Sequence, residues 1–244
     1  MKKATTIIPT TGESSVIDSI KSVLNQNYGE SHAYVVIDGD KNTQKFYDEF
    51  FRADLQNHSK FKTHLNIVIL PENVGANGFY GHRVYAAFTH LINSDYVLYL
   101  DQDCSFEFNH VKEMVNMMEE NNYDWCYSLR RIVDQNKQYI CNDDCESLGK
   151  WNPVMQYNHV DTNCYCIKTE VATKVCSIWH GGWGTDRAFY SVISNAFKNY
   201  NCSGEYTVNY AIGGNEGSVT AEFFKQWNEK VNEMYNGKFP WRKE

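Results

Sequence analysis

The stretch that most constrains this chain is Asp95-Tyr96-Val97-Leu98-Tyr99-Leu100-Asp101-Gln102-Asp103. In an extended chain Tyr96, Leu98 and Leu100 share one face and Val97 and Tyr99 the other. A strand that is apolar on both faces must be covered on both, which fits a central strand of a mostly parallel sheet. It stops abruptly in two carboxylates spaced i, i+2. In open α/β sheets ligands bind beyond the carboxyl ends of the strands, so Asp101 and Asp103 are expected at the mouth of a site. Two hard oxygen donors there suit a divalent cation such as Mg²⁺ or Mn²⁺, with a substrate diphosphate completing the coordination. A polar strand-to-loop turn with solvated acids is the competing reading.

The preceding chain alternates. Strand character over Ala4–Ile8 stops at Pro9-Thr10. Val16, Ile17, Ile20, Val23 and Leu24 then recur at helical spacing behind Ser14-Ser15. Ala33–Ile37 is a second strand closed by Asp38-Gly39-Asp40, and Phe46, Phe50, Phe51 and Leu55 mark a second helix. Leu65–Leu70 is a third strand. The loop Glu72–Gly78 opens a helix running to about Ile92. The order β-α-β-α-β-α-β over 103 residues predicts a parallel sheet with right-handed crossovers.

Beyond Asp103 the alternation is less regular. We expect a helix over Asn109–Asn121, strands over Tyr123–Val133, His159–Ile167 and Tyr206–Ile212, and helices over Thr169–Ser177 and Arg187–Phe197. Asp134–Pro153 reads as a flexible flap. An amphipathic helix over Thr220–Tyr235 precedes a tail, Phe239–Arg242, able to lie back on the domain. With 244 residues and 42% hydrophobic side chains the chain can form one large domain. Its expected parts are residues 4–103, 104–218 and a C-terminal helix and tail over 219–244.

A mean hydropathy of −0.56 with no long apolar run excludes a membrane-spanning helix. The short apolar run after Met1-Lys2-Lys3 does not resemble a signal peptide, so the expected location is cytoplasmic. Eight cysteines are then expected reduced; neither Cys141/Cys145 nor Cys164/Cys166 has zinc-site spacing. The net charge of −7, without a basic stripe, argues against a large nucleic-acid footprint.

Four stretches then form an ordered set: Thr6-Ile7-Ile8-Pro9-Thr10, Val36-Ile37-Asp38-Gly39, Asn73-Val74-Gly75 and Leu100-Asp101-Gln102-Asp103. Their order and spacing resemble the nucleotide-sugar half of GT-A fold glycosyltransferases, most closely glycosyltransferase family 2. The resemblance implies an α/β GT-A fold: a Rossmann-like, mostly parallel sheet flanked by helices, with a variable acceptor half. It implies a nucleotide-diphosphate sugar donor, UDP-linked by preference, and Mn²⁺ or Mg²⁺ as cofactor. Thr10 would lie against the nucleoside. Asp38 would accept from the base, as an acceptor-only group can. Asp101 would reach the ribose or a metal-bound water, and Asp103 would hold the metal. The Arg that such families often carry after N-x-G falls near Tyr80 here; Arg83, one turn on with His82 beside it, is the nearest candidate for the diphosphate.

The second anchor is Trp183-Gly184-Thr185-Asp186, which resembles the base-bearing loop of inverting GT-A enzymes, with Thr185 where an acid is usual. Asp186 would be the general base on an acceptor hydroxyl; its competing role is a helix cap. Trp179 and Trp183 are candidates to stack on a sugar, with core packing the alternative for at least one. His180, and less so His159, is a candidate third metal ligand. The resulting expectation is an inverting, metal-dependent glycosyltransferase acting on a saccharide or glycoconjugate, with a modified nucleic-acid base a minority acceptor. The rivals are a sugar-nucleotide nucleotidyltransferase and a non-catalytic carbohydrate-binding protein on the same scaffold.

Overall fold

The computed structural model describes residues 1–214 and 219–243. The elements run β1 (Ala4–Thr10), α1 (Val16–Leu24), β2 (Ser31–Ile37), α2 (Thr43–Arg52), α3 (Phe61–His64), β3 (Leu65–Ile69), α4 (His82–Phe88), β4 (Tyr96–Tyr99), β5 (Ser105–Phe106) and α5 (His110–Asn121). They continue as β6 (Trp125–Val133), β7 (Tyr139–Asn142), β8 (Tyr165–Lys168), α6 (Thr169–Val175), α7 (Thr185–Ala196), β9 (Tyr200–Ala211) and α8 (Ala221–Tyr235).

Among the described residues one curled sheet holds all nine strands, in the order β3-β2-β1-β4-β8-β6-β9-β5, with β7 paired to β6. The first four strands are parallel, as their alternation with helices requires. β1 and β4 are buried along their whole length, as a central strand apolar on both faces, like β4, must be. Helix α1 buries the face formed by Val16, Ile17, Ile20, Val23 and Leu24. The second half is mixed: β8 lies antiparallel to both β4 and β6, and the long β9 runs parallel to β6. The α/β architecture, with its parallel first half and helices flanking the sheet, is the kind expected. Strand β8 begins only at Tyr165, because Asp161–Cys164 folds first into a tight turn. Strand β9 begins earlier than its apolar pattern indicated, at Tyr200.

The Asp134–Pro153 segment is not a loose flap. Asp134 accepts from the Asn136 and Gln138 amides to close the β6–β7 hairpin, and Asp143, Cys145, Ser147 and Leu148 are buried. Their anchor is Arg130 on β6, whose side chain is 2% exposed. It donates to Asp143 (2.7 Å), Asp161 (2.7 Å) and Glu146. A buried guanidinium must have such partners, since an unpaired charge in the core costs several kcal/mol. Polarity here marks an internal ion cluster.

A second core, formed by Leu129, Ile132, Leu148, Phe224, Val231 and Trp241, lies under α8 and the C-terminal tail. Trp241 Nε1 donates to Asp144 Oδ1 at 2.9 Å, and Arg242 pairs with the same carboxylate, so the tail is tied back onto the domain. The cysteines are free thiols, most of them buried. Among the described residues no helix is long and apolar enough to cross a membrane.

Candidate functional site

The carboxyl ends of β1, β2 and β4 gather the four motif stretches. Thr10, buried at the end of β1, donates its hydroxyl to Gln102 Oε1 at 2.7 Å, and the Thr11 amide donates to the same oxygen. Gln102, between the two aspartates, thus ties the β1 turn to the β4 turn. Asp38, at the end of β2, accepts from the amides of Val74 (2.7 Å) and Gly75 (2.8 Å), one on each oxygen. Burial pushes its carboxyl up, against those two amides. Gly75 has to be glycine: a Cβ there would lie 2.0 Å from the Tyr80 carbonyl oxygen and 2.7 Å from Asp38. The N-x-G spacing is therefore read directly as backbone closing on a buried acid.

Asp101 is half-buried below this loop. Tyr85, from α4, donates its hydroxyl to Asp101 Oδ1 at 2.7 Å, and Asn163 Nδ2 donates to Oδ2 at 3.0 Å. Asn163 also accepts from the Asp101 amide and bonds Asp161, which links the aspartate pair to the Arg130 cluster. Burial first, and then the neighbouring charges of Asp103 and Asp161, push the Asp101 carboxyl up to about 7. Burial raises Asp103 as well, while Lys137 works the other way. Lys137, near the tip of the β6–β7 hairpin, donates Nζ to the Asp103 carbonyl oxygen at 2.5 Å. No local pattern points to Lys137, Asn163 or Tyr85: each reaches the aspartates from another part of the chain, and only tertiary packing delivers it.

The other carboxylate stands at the start of α7. Gly184, with φ of 81°, turns the chain into the helix. Asp186 Oδ2 meets His159 Nε2 at 2.5 Å, and Oδ1 accepts from the Arg187 amide. Burial would raise Asp186, but the hydrogen bond and charge of His159 outweigh it and hold the carboxyl at about 2. Conversely, burial would lower His159, and Asp186 raises it. His159 is thus the partner of Asp186, which its position in the chain did not disclose. The two halves touch here: the Gly78 carbonyl oxygen lies 3.0 Å from where a Cβ on Gly182 would sit, and His82 Nδ1 is 3.2 Å from the Gly181 carbonyl oxygen.

The structure gives the four other sequence candidates, Trp179, Trp183, Arg83 and His180, distinct surroundings. Trp179 has no face for a ligand. It is 0% exposed, stacks on Phe189 at 4.0 Å between centroids, and is walled by Tyr85, Tyr99 and Tyr165. Trp183 is 77% exposed and open to stacking. Arg83 lies across the Phe79 ring, 3.3 Å from its centroid, and donates to the Val74 carbonyl oxygen; it braces the Asn73–Tyr80 loop. His180 is exposed beside Phe79. Among the described residues no three of His, Cys, Asp and Glu converge as a ready metal cage.

Comparison with known proteins bears on the family and the fold. The profile described as glycosyl transferase family 2 matches residues 5–145. An uncharacterized protein of Haemophilus influenzae is 29% identical over 104 residues, covering 35% of this chain and 70% of that protein. Among solved structures, S. aureus TarS residues 1–349 in complex with UDP-GlcNAc matches with a TM-score of 0.65 and 16% identity, over 96% of this chain and 67% of that one. The same TarS fragment in complex with UDP gives a TM-score of 0.62 at 14% identity, over 96% of this chain. The chain spans 66% of that fragment's length. At these identities the structural likeness concerns the fold.

Proposed function

The chain belongs to glycosyltransferase family 2, and from that premise we propose that it moves a sugar from a UDP-linked donor to an acceptor hydroxyl of a saccharide, with inversion, assisted by Mn²⁺ or Mg²⁺. The observation that carries this reading is the aspartate pair at the open end of β4, both acids raised by burial and Asp101 also by the charge of Asp103. Two hard oxygen donors in that state fit a divalent cation, and donor diphosphate oxygens and water would complete its shell. Asp103 and Asp101 would hold it; when bound it would neutralise charge developing on the departing diphosphate.

The remaining roles belong to the chain itself. Tyr85 and Asn163 fix the orientation of Asp101. The Lys137 ammonium, beside Asp103, would add positive charge next to the diphosphate. Asp38 holds the loop over the nucleoside and retains lone pairs for the uracil imide, while Thr10 and its turn form the floor. At the other end, Asp186 is ionised at every physiological pH and would accept the acceptor's hydroxyl proton. As that proton leaves, the hydroxyl oxygen forms its bond to the anomeric carbon. The bond from that carbon to the diphosphate breaks on the opposite face, its electron pair going to the phosphate oxygen. His159 keeps the receiving carboxylate aimed. Exposed Trp183 offers an apolar face to the sugar ring. In support of a UDP-linked donor, the TarS fragment of the same fold has been solved with both UDP and UDP-GlcNAc.

Titration calorimetry with UDP, GDP, CDP and ADP, each with and without Mn²⁺, tests the reading. We expect UDP to bind with Mn²⁺, and Asp103→Ala to weaken that binding by at least roughly 100-fold. A preference for GDP would sink the uracil role of Asp38, and binding of no nucleotide would sink the enzyme reading.

A further inference from the structure

A cleft of about 450 Å³ opens beside α7, lined by Lys150, Tyr157, Asn158, Arg187, Ser191 and Ser194 among others. It adjoins the Asp186–His159 pair closely in the chain: Arg187 follows Asp186, and Asn158 precedes His159. Its charge is one-sided. The chain as a whole carries −7, yet the lining itself holds two cations and no carboxylate, the ionised Asp186 beside Arg187 standing at its edge. Arg187 is spread between two aromatic rings, its guanidinium carbon 3.9 Å from the Tyr157 centroid and 4.8 Å from that of Trp183. That stacking fixes the guanidinium plane and leaves its N–H edge free to bond outward. Lys150 lies over the Trp151 ring, 4.6 Å away. Among the described residues neither cation makes a salt bridge, whereas Arg130, Arg131 and Arg242 all do. Hydroxyls and amides from Ser191, Ser194 and Asn158 complete the lining, as polar groups that recognise a saccharide would.

We infer that this cleft is the acceptor subsite and that it selects an anionic saccharide, one carrying a phosphate ester or a carboxylate, through Lys150 and Arg187. The inference rests on Asp186 acting at the acceptor hydroxyl, since the cleft begins one residue from it. Arg187 would take the anion on its free edge. Lys150 would act as a point charge across from it. The sugar's own hydroxyls would meet the serines, with one ring edge directed to Asp186.

The test titrates glucose, glucose 6-phosphate and glucuronate into protein saturated with UDP and Mn²⁺, so that the donor side is already filled. We expect one or both acidic sugars to bind at least tenfold tighter than glucose, with an affinity that falls as NaCl rises from 50 to 300 mM, by counter-ion screening. Whichever acidic sugar binds tighter identifies the anion as phosphate or carboxylate. The Lys150→Met/Arg187→Met double variant should lose at least that tenfold preference while its UDP affinity changes less than twofold. The charge-conserving Lys150→Arg/Arg187→Lys variant should keep most of it. Equal binding of all three sugars, or an unchanged preference in the double methionine variant, would overturn the inference. If UDP itself failed to bind, the donor-site reading would fall, and the same three sugar titrations would still decide the cleft.

Discussion

Asp101 and Asp186 are both carboxylates drawn largely out of solvent, and their surroundings drive them in opposite directions. Asp101 is pushed up to about 7 and Asp186 is held at about 2. Burial acts on both in the same sense, so the difference lies in the partner. Asp101 has neutral donors, Tyr85 and Asn163, and two acids for neighbours. Asp186 has a buried histidine supplied by the same chain. Environments that push two acids apart assign them different work. One is a site short of positive charge, suited to receiving a cation and a diphosphate. The other is complete, an ionised acceptor-only group with its geometry already set.

The largest effect that would break this comparison is on chemistry. Asp186→Asn should cut transfer by about 10²–10⁴-fold, the usual contribution of a general base, and leave UDP affinity unchanged. Transfer at a normal rate would remove Asp186 from the mechanism. Next in size, the two tryptophans should separate cleanly. Trp179→Ala should cost ~3–5 kcal/mol of stability in denaturant unfolding, as a large buried ring does. Trp183→Ala should change stability by less than ~0.5 kcal/mol and weaken saccharide binding instead.

The His159–Asp186 pair gives a pH signature. His159 is raised, so its contribution is complete below the unfolded value of about 6.5 and is lost as pH rises through the folded value. Asp186 is lowered, so its contribution is present above the unfolded value of about 3.9 and is lost as pH falls through about 2. Both are in force between roughly pH 4 and 6.5. His159→Gln should therefore cost ~2 kcal/mol in that window, the worth of a buried hydrogen bond to a charged group, and progressively less above it. A pH-independent deficit would show that the histidine serves packing alone. The smallest effect concerns the open site: Lys137→Met should weaken UDP binding about fivefold, consistent with losing one part-exposed cation, with no change in the unfolding midpoint.

The two regions also differ in how far their residues were readable. Around Asp101 the local chain carries the information. A doubly apolar strand must be central, its end must face the ligand edge, and Gly75 must be glycine because backbone closes on Asp38 there. Around Asp186 the local pattern located the acid but not its partner, which lies 27 residues away. The same limit explains the misplaced flap. Asp143, Glu146 and Asp161 look like solvated loop acids until Arg130 is known to be buried among them. It explains Trp179 too, since an aromatic in a glycine-rich loop reads alike whether it turns outward or inward.

Sequence alone determined the alternation of β1 to β4, the parallel sheet it enforces, the placement of Asp101 and Asp103 at its open edge, and the presence of an acid at the start of α7. These follow from periodicity, turn chemistry and motif order, all of which act over a few residues. Tertiary structure decided which side chains complete each carboxylate: Lys137, Asn163 and Tyr85 at one end, His159 at the other. It also decided that Trp183 rather than Trp179 faces outward. Charge, burial and hydrogen bonding are properties of neighbours in space, and the pairings that set them join segments no local pattern connects.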